Sequence, residues 1–246
     1  MKIFITGVSS GVGEALARQL VKAGHLVWGI ARRDELLKKM QSELGVDKFL
    51  FSKCDISNED DINRTVEMMK MAGFLPEIVI LNAAIFSRDT DPQYQYPLFK
   101  EAMAVNIFGS LTWVDKFIPD FLKRGSGSFI AISSISAHLP DAESISYPAS
   151  KAAISMAFRG LRMRYRKNGI KFSTVHFGPI ATKLVPSWSS ENGLPRYPFV
   201  ISSKKAAEKI LKVINKKSGD YWFPFFTTLF FRALSIPGDI FLRFIK

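Results

Sequence analysis

Short runs that are apolar at nearly every position alternate along this chain with longer stretches in which apolar residues return every three or four positions. The first kind predicts strands at Ile3–Thr6, Leu26–Ala31, Phe49–Cys54, Ile78–Asn82, Ser128–Ser133 and Lys171–Phe177, with a further short one near Tyr221–Phe223. Continuous rather than alternating apolar character is that of parallel strands covered on both faces. The second kind predicts helices over Val12–Ala23, Glu35–Leu44, Glu59–Met71, Phe99–Lys123, Pro148–Lys167 and Lys204–Lys217. Asn58 and Ser203 stand where N-caps belong, and Gly24 and Gly169 fall just past helix ends. Repeated β-α-β units of this length give an α/β protein with a doubly wound parallel sheet.

Two segments break the alternation. Residues Leu184–Val200 hold Pro186, Gly193, Pro195 and Pro198 with a Ser-Trp-Ser-Ser run, the composition of a loop after the sixth strand. Residues Tyr221–Lys246 are dense in aromatic and aliphatic side chains, punctuated by Arg232, Arg243 and Lys246. With no internal repeat or long Pro/Gly/Ser linker, residues 1–220 read as one domain and 221–246 as its extension.

The strongest local signal follows the first strand: Thr6-Gly7-Val8-Ser9-Ser10-Gly11-Val12-Gly13, opening an amphipathic helix. Glycine lets the backbone turn tightly and approach a pyrophosphate, and the helix start offers unpaired N–H groups at a positive dipole end. A strand before it and a helix after it are the context a dinucleotide site requires.

The Thr-Gly-x-x-x-Gly-x-Gly spacing resembles that of the short-chain dehydrogenases/reductases. Other elements of that family follow in order: Asp55-Ile56 after the third strand, Asn82-Ala83-Ala84 after the fourth, and Asn106 within a helix. Ser134 then ends the fifth strand, 13 residues before Tyr147 in Tyr147-Pro148-Ala149-Ser150-Lys151. The resemblance spans roughly residues 2–183 and implies a Rossmann fold. It also implies cofactor contacts from Gly7, Ser9, Ser10, Gly11, Val12, Gly13, Asp55, Ile56, Asn82, Ala83, Ala84, Tyr147, Lys151, Gly178, Ile180 and Thr182. The chain departs from the family at Phe177, where a proline is usual, and at Ala84, where a glycine is usual.

At the end of the second strand stand Ala31-Arg32-Arg33, where NAD-users place a carboxylate for the ribose 2′-hydroxyl. A carboxylate repels a 2′-phosphate and a guanidinium binds it. NADP(H) is therefore expected over NAD(H), with Arg32 as principal contact, Arg33 beside it and Ser10 donating to the same phosphate.

Lys151 lies one helical turn beyond Tyr147, on the same face. An ammonium at that range is expected to lower the phenol below its ordinary pKa of about 10 and fit it for general acid–base work. The resemblance adds Lys151 on the nicotinamide ribose, Ser134 on the substrate oxygen, and Asn106 in a water relay to Lys151. The expected activity is hydride transfer between nicotinamide and a small hydrophobic carbonyl or alcohol, under a lid formed by Leu184–Val200. The alternative is an NADP(H)-binding protein with a vestigial site that acts through a partner or membrane.

Composition narrows the remaining classes. At 246 residues, with 47% apolar and 23% charged positions, the chain is of ordinary globular type and long enough to fold without staples. One cysteine, Cys54, excludes an internal disulfide and predicts an intracellular protein. His25, His138 and His176 are widely spaced in sequence, so no metal site is expected. The net charge of +12 suits an anionic partner. No nucleic-acid module is recognisable, so nucleic acid is not the partner expected. The basic, aromatic tail 221–246 is read either as peripheral contact with an anionic membrane or as packing over its own pocket or a partner subunit. The amino end has no signal-peptide pattern, which predicts a cytoplasmic protein, at the inner membrane surface if the tail binds lipid. Family resemblance further implies a homodimer or homotetramer.

Overall fold

The computed structural model describes residues 1–89, 91–185 and 199–224. In chain order its strands are β1 (Lys2–Thr6), β2 (Leu26–Ala31), β3 (Phe49–Lys53), β4 (Ile78–Leu81), β5 (Gly127–Ser134), β6 (Ile170–Phe177), β7 (Ile180–Ala181), β8 (Ile201–Ser202) and β9 (Asp220–Phe223). Seven of them form one sheet in the order β3-β2-β1-β4-β5-β6-β9, every neighbouring pair parallel. β7 and β8 form a separate parallel pair that the sequence pattern does not predict.

The helices are α1 (Gly11–Lys22), α2 (Asp34–Leu44), α3 (Glu59–Met71), α4 (Tyr96–Met103), α5 (Ser110–Arg124), α6 (Ser146–Arg164) and α7 (Ser203–Ile214). The single helix expected over Phe99–Lys123 is α4 and α5 joined through a π-helical stretch at Ala104–Gly109. Such widened turns are rare and mark places where a side chain must be re-aimed. Here the stretch carries Asn106, buried against the loop after β4.

Asn58 caps α3 as expected, accepting from Asp60 and Asp61 amides. The cap of α7 is Ser202 rather than Ser203. The helix starts one residue earlier than its apolar pattern suggests, so the Ser202 hydroxyl accepts from the Lys205 amide while Ser203 donates to the Ala181 carbonyl. Gly24 and Gly169 adopt the positive φ that helix exits favour.

Each face of the sheet has its own core. On one face, Phe4, Trp113, Phe117, Phe121, Phe129 and Phe172 pack under α3, α5 and α6. On the other, Ile3, Ile5, Leu16, Leu20, Ile80 and Ile210 pack under α1, α2 and α7. Each such side chain contributes about 1.5–3 kcal/mol by leaving water. Among the described residues no helix is long and apolar enough to cross a membrane. The tail residues 225–246 and the lid residues 186–198, Trp188 and Tyr197 among them, lie outside the described residues.

The last strand is pinned to α6 by charge. Asp220 accepts from Arg159 Nε at 3.0 Å and from Arg162 Nη2 at 2.7 Å. Burial alone would raise the Asp220 carboxyl, but the Arg162 and Arg159 guanidiniums outweigh it and hold the group below its ordinary value. A depressed acid stabilises the fold above its unfolded pKa, near 4, and that contribution fades as pH falls through the folded value. Asp220→Asn is therefore expected to cost about 2 kcal/mol at neutral pH. In urea unfolding the two proteins should converge below about pH 4, and a gap that persists in acid would show that the charge is not what matters.

Candidate active site

Strand order reverses between β2-β1 and β1-β4, the place where an open α/β sheet forms a crevice at its carboxyl edge. A cleft of about 510 Å³ occupies it. The crevice is held by a knot of hydrogen bonds between the ends of β1 and β4. The Thr6 hydroxyl accepts from the Asn82 and Ala83 amides, both at 3.0 Å. Asn82 Nδ2 donates in return to the Thr6 and Gly7 carbonyls at 3.0 and 3.1 Å.

The glycine loop rests on that knot. Gly7 and Gly11 have φ of 76° and 61°, the left-handed region that side chains avoid. A Cβ on Gly13 would lie 2.1 Å from the Gly7 carbonyl oxygen, so only glycine lets α1 seat against β1. Ser10, the N-cap of α1, is extended and makes no side-chain cap, so the first amides of the helix are not satisfied by it. Gly7, Ser9, Ser10, Gly11 and Val12 line the cleft, and Gly13 sits behind them. Arg32, Arg33, Asp55, Ile56, Asn82, Ala83 and Ala84 also line it. A loop in which a Cβ at Gly7 or Gly13 would collide with backbone, at an uncapped helix start, fits a dinucleotide diphosphate.

The two arginines divide their roles. Arg33 reaches back over the loop, its Nη2 donating to Ser9 Oγ and Ser10 Oγ at 2.7 Å each and its Nε to Ser9 Oγ at 3.1 Å. Arg32, largely exposed, lies 3.9 Å from Asp55 Oδ2. The guanidinium fixed to the glycine loop is thus Arg33.

A second cleft of about 190 Å³ adjoins the first, sharing Val12, Asn82, Ala84, Phe86, Thr182 and Leu184. It brings together Ser134 from the end of β5, Tyr147 and Lys151 from the first turns of α6, and Gly178, Ile180 and Thr182 from beyond β6. Tyr147 lies near enough to Ser134 for the serine side chain to act on its pKa, and it packs edge-on against Phe86 at 5.2 Å. Lys151 Nζ lies 5.5 Å from the Tyr147 ring centre and donates to the Ile132 carbonyl at 2.9 Å. Behind it, Ser133 and Ser155 bond each other and the Lys151 carbonyl, fastening α6 to β5.

Asn106 is held by three side-chain hydrogen bonds. Its Oδ1 accepts from the Ile85 amide, and its Nδ2 donates to the Ile85 carbonyl and to Ser150 Oγ. The side chain braces the loop after β4 against α6. Phe177, one of the two departures, is buried beside Phe223 as well as lining the second cleft. Phe86 and the rim residues Arg88, Asp141 and Glu143 were not legible as site residues. They sit in irregular loops, where no periodicity or spacing singles them out.

Residues 1–193 match the short chain dehydrogenase family. The chain belongs to that family. An uncharacterized oxidoreductase of Staphylococcus aureus strain MW2 is 28% identical over 214 residues, 87% of this chain and 90% of the relative. A serine dehydrogenase solved in a closed form with NADP+ superposes with a TM-score of 0.81 at 20% identity, covering 91% of this chain and 94% of that one. A 3-ketoacyl-(acyl-carrier-protein) reductase from Brucella melitensis, solved with NADH, gives 0.80 at 21% identity over 90% and 96%. This short-chain dehydrogenase is an NAD(P)-dependent oxidoreductase, and its vestigial-site alternative finds no support.

Burial governs the electrostatics of the short-chain dehydrogenase site. It pushes the Tyr147 phenol up to about 12, over the lowering effect of the Ser134 side chain, and the Lys151 ammonium down to about 8. The expected lowering of Tyr147 by Lys151 does not figure among the influences on the phenol, where burial dominates. A lysine near 8 when folded and near 10.4 when unfolded costs the fold about 3 kcal/mol while both forms are charged. That penalty is complete below about pH 8 and is relieved as pH rises toward 10. Lys151→Met, after about 1 kcal/mol for the orphaned Ile132 carbonyl, is expected to stabilise the protein by about 2 kcal/mol at pH 7. Denaturant titration should find this gain shrinking above about pH 8, whereas a net loss at neutral pH would mean the ammonium is well solvated.

Proposed function

We propose that the protein reduces small apolar carbonyl compounds, or oxidises the matching alcohols, with NADP(H) as cofactor. The observation that carries this reading is the convergence of Ser134, Tyr147 and Lys151 at a cleft that opens into the glycine-loop crevice. When bound, the nicotinamide supplies or accepts the hydride.

The chain's own groups handle the oxygen. Ser134 donates a hydrogen bond to the substrate oxygen and orients it. In reduction the Tyr147 O–H bond breaks and its proton passes to that oxygen; in oxidation the phenolate takes the proton back. Lys151, charged at neutral pH with a value near 8, offsets the negative charge on the phenolate as it forms. Phe86, Ile132, Phe177, Ile180, Leu184 and Val185 supply apolar walls that suit a hydrophobic substrate. Tyr147→Phe is expected to keep cofactor affinity and lose at least about a thousandfold in kcat. Stopped-flow oxidation of NADPH with a panel of apolar aldehydes and ketones tests this, and a phenylalanine variant near wild-type rate overturns the assignment.

The cofactor preference rests on Arg33. Its fork is already fixed over Ser9 and Ser10, beside a second guanidinium, in a crevice wall with no carboxylate at the end of β2. A 2′-phosphate there would meet two cations and two hydroxyls. Arg33→Ala is expected to raise KM for NADPH at least about tenfold and leave KM for NADH within about twofold, with Arg32→Ala smaller in effect. Equal losses with both dinucleotides would remove the 2′-phosphate from this corner.

A further inference from the structure

Ser134 stands at the last position of β5, where the sheet stops and the chain enters a 3-10 turn, Ile135–His138. Its hydroxyl accepts from the Ser136 amide and donates to Ser136 Oγ, both at 3.1 Å. Those two bonds fix the hydroxyl relative to its own turn.

The parallel ladder does not extend past this point, for the Gly178 amide beyond β6 bonds Phe223 on β9 at 2.9 Å. The Ser134 carbonyl instead faces His176 Nδ1 at 3.4 Å. A carbonyl only accepts, so Nδ1 must carry the hydrogen. His176 is fully buried, and its Nε2 has no hydrogen-bond partner among the described residues. Burial, the largest influence, pushes the imidazolium down to about 4 against the opposing pull of the Ser134 carbonyl and Asp220. The ring is neutral, with one tautomer.

That ring cannot swing away. Trp222 of β9 stacks on it at 3.8 Å and 10°, and His138, the last residue of the turn, packs 5.5 Å from His176 and 5.0 Å from Trp222. Two residues before Trp222, Asp220 is bolted to Arg159 and Arg162 of α6. A continuous path of packed groups thus runs from the edge strand through the imidazole to the peptide plane of Ser134, and from the same strand to the helix that carries Tyr147.

We propose that His176 is a positioning residue, held by Trp222, whose Nδ1–H sets the Ser134 peptide so that the serine hydroxyl meets the substrate oxygen in register with Tyr147. This rests on the reading of Ser134 and Tyr147 given above. Misplacing a reacting group by a fraction of an ångström costs roughly ten- to a hundredfold in rate without loosening the ligands.

Three variants separate this role from plain packing. Asparagine puts an amide N–H where Nδ1 is, glutamine puts one where Nε2 is, and leucine has none. His176→Asn is expected to keep at least about half of the wild-type kcat, while His176→Gln and His176→Leu fall at least about tenfold with NADPH dissociation constants unchanged. Equal kcat for the asparagine and glutamine variants overturns the proposal. If a variant does not fold, nitrogen-15 NMR of histidine-labelled wild-type protein decides, since an Nε2–H tautomer at His176 also overturns it. Should Tyr147→Phe remain active, the reaction reading itself fails; should Tyr147→Phe be inactive and all three His176 variants match wild type, only the positioning role fails.

Discussion

The whole arrangement depends on how closely β1 and β4 are tied where the strand order reverses. Four hydrogen bonds cross that seam, two accepted by the Thr6 hydroxyl from the Asn82 and Ala83 amides and two donated by the Asn82 side chain to the Thr6 and Gly7 carbonyls, and that Gly7 carbonyl is the atom that forbids a side chain at position 13. One small contact thereby sets the height of the glycine loop, the angle at which α1 leaves it, and the mouth of the cleft. Looser closure would admit other residues at position 13 and would lose the aligned amides that an anion needs.

The second half of the site is built against the grain of stability. Lys151 is almost wholly buried, and its ammonium donates to a backbone carbonyl. Tyr147 is raised by the same burial that lowers its neighbour. Neither group is comfortable charged, which is the condition under which a proton moves readily between phenol and substrate oxygen once the nearby charges change. The serines behind them are fully engaged with the α6 backbone, so the discomfort stays with the two side chains that use it.

Much of this was legible in the amino-acid sequence because it is local. The glycine spacing, the Tyr147–Lys151 helical turn and the apolar strand runs each state their geometry within a few residues, and repeated β-α-β units imply a parallel sheet. What was not legible is set by groups distant in sequence. Arg32 and Arg33 are indistinguishable as letters, and only the contact with Ser9 and Ser10 separates them. The π-helical stretch around Asn106 answers to Ile85 and Ser150, not to its own periodicity. The charges at the rim come from two irregular loops zipped together by Ser87–Ser144 and Asp89–Ile145 bonds. His176 reads in sequence as one more residue of a buried strand, since its meaning lies in Trp222, forty-six positions later.

The sheet also divides the labour. The loop that faces the diphosphate belongs to α1, which rests on the core shared with α2 and α7; the phenol and lysine belong to α6, which rests on the opposite core with α3 and α5. A substitution that loosens one core is separated from the other by a layer of parallel strands, and effects at sites so far apart combine nearly additively. Folding stability is thereby modular: substitutions in the two cores can accumulate independently, with the sheet as the partition between them.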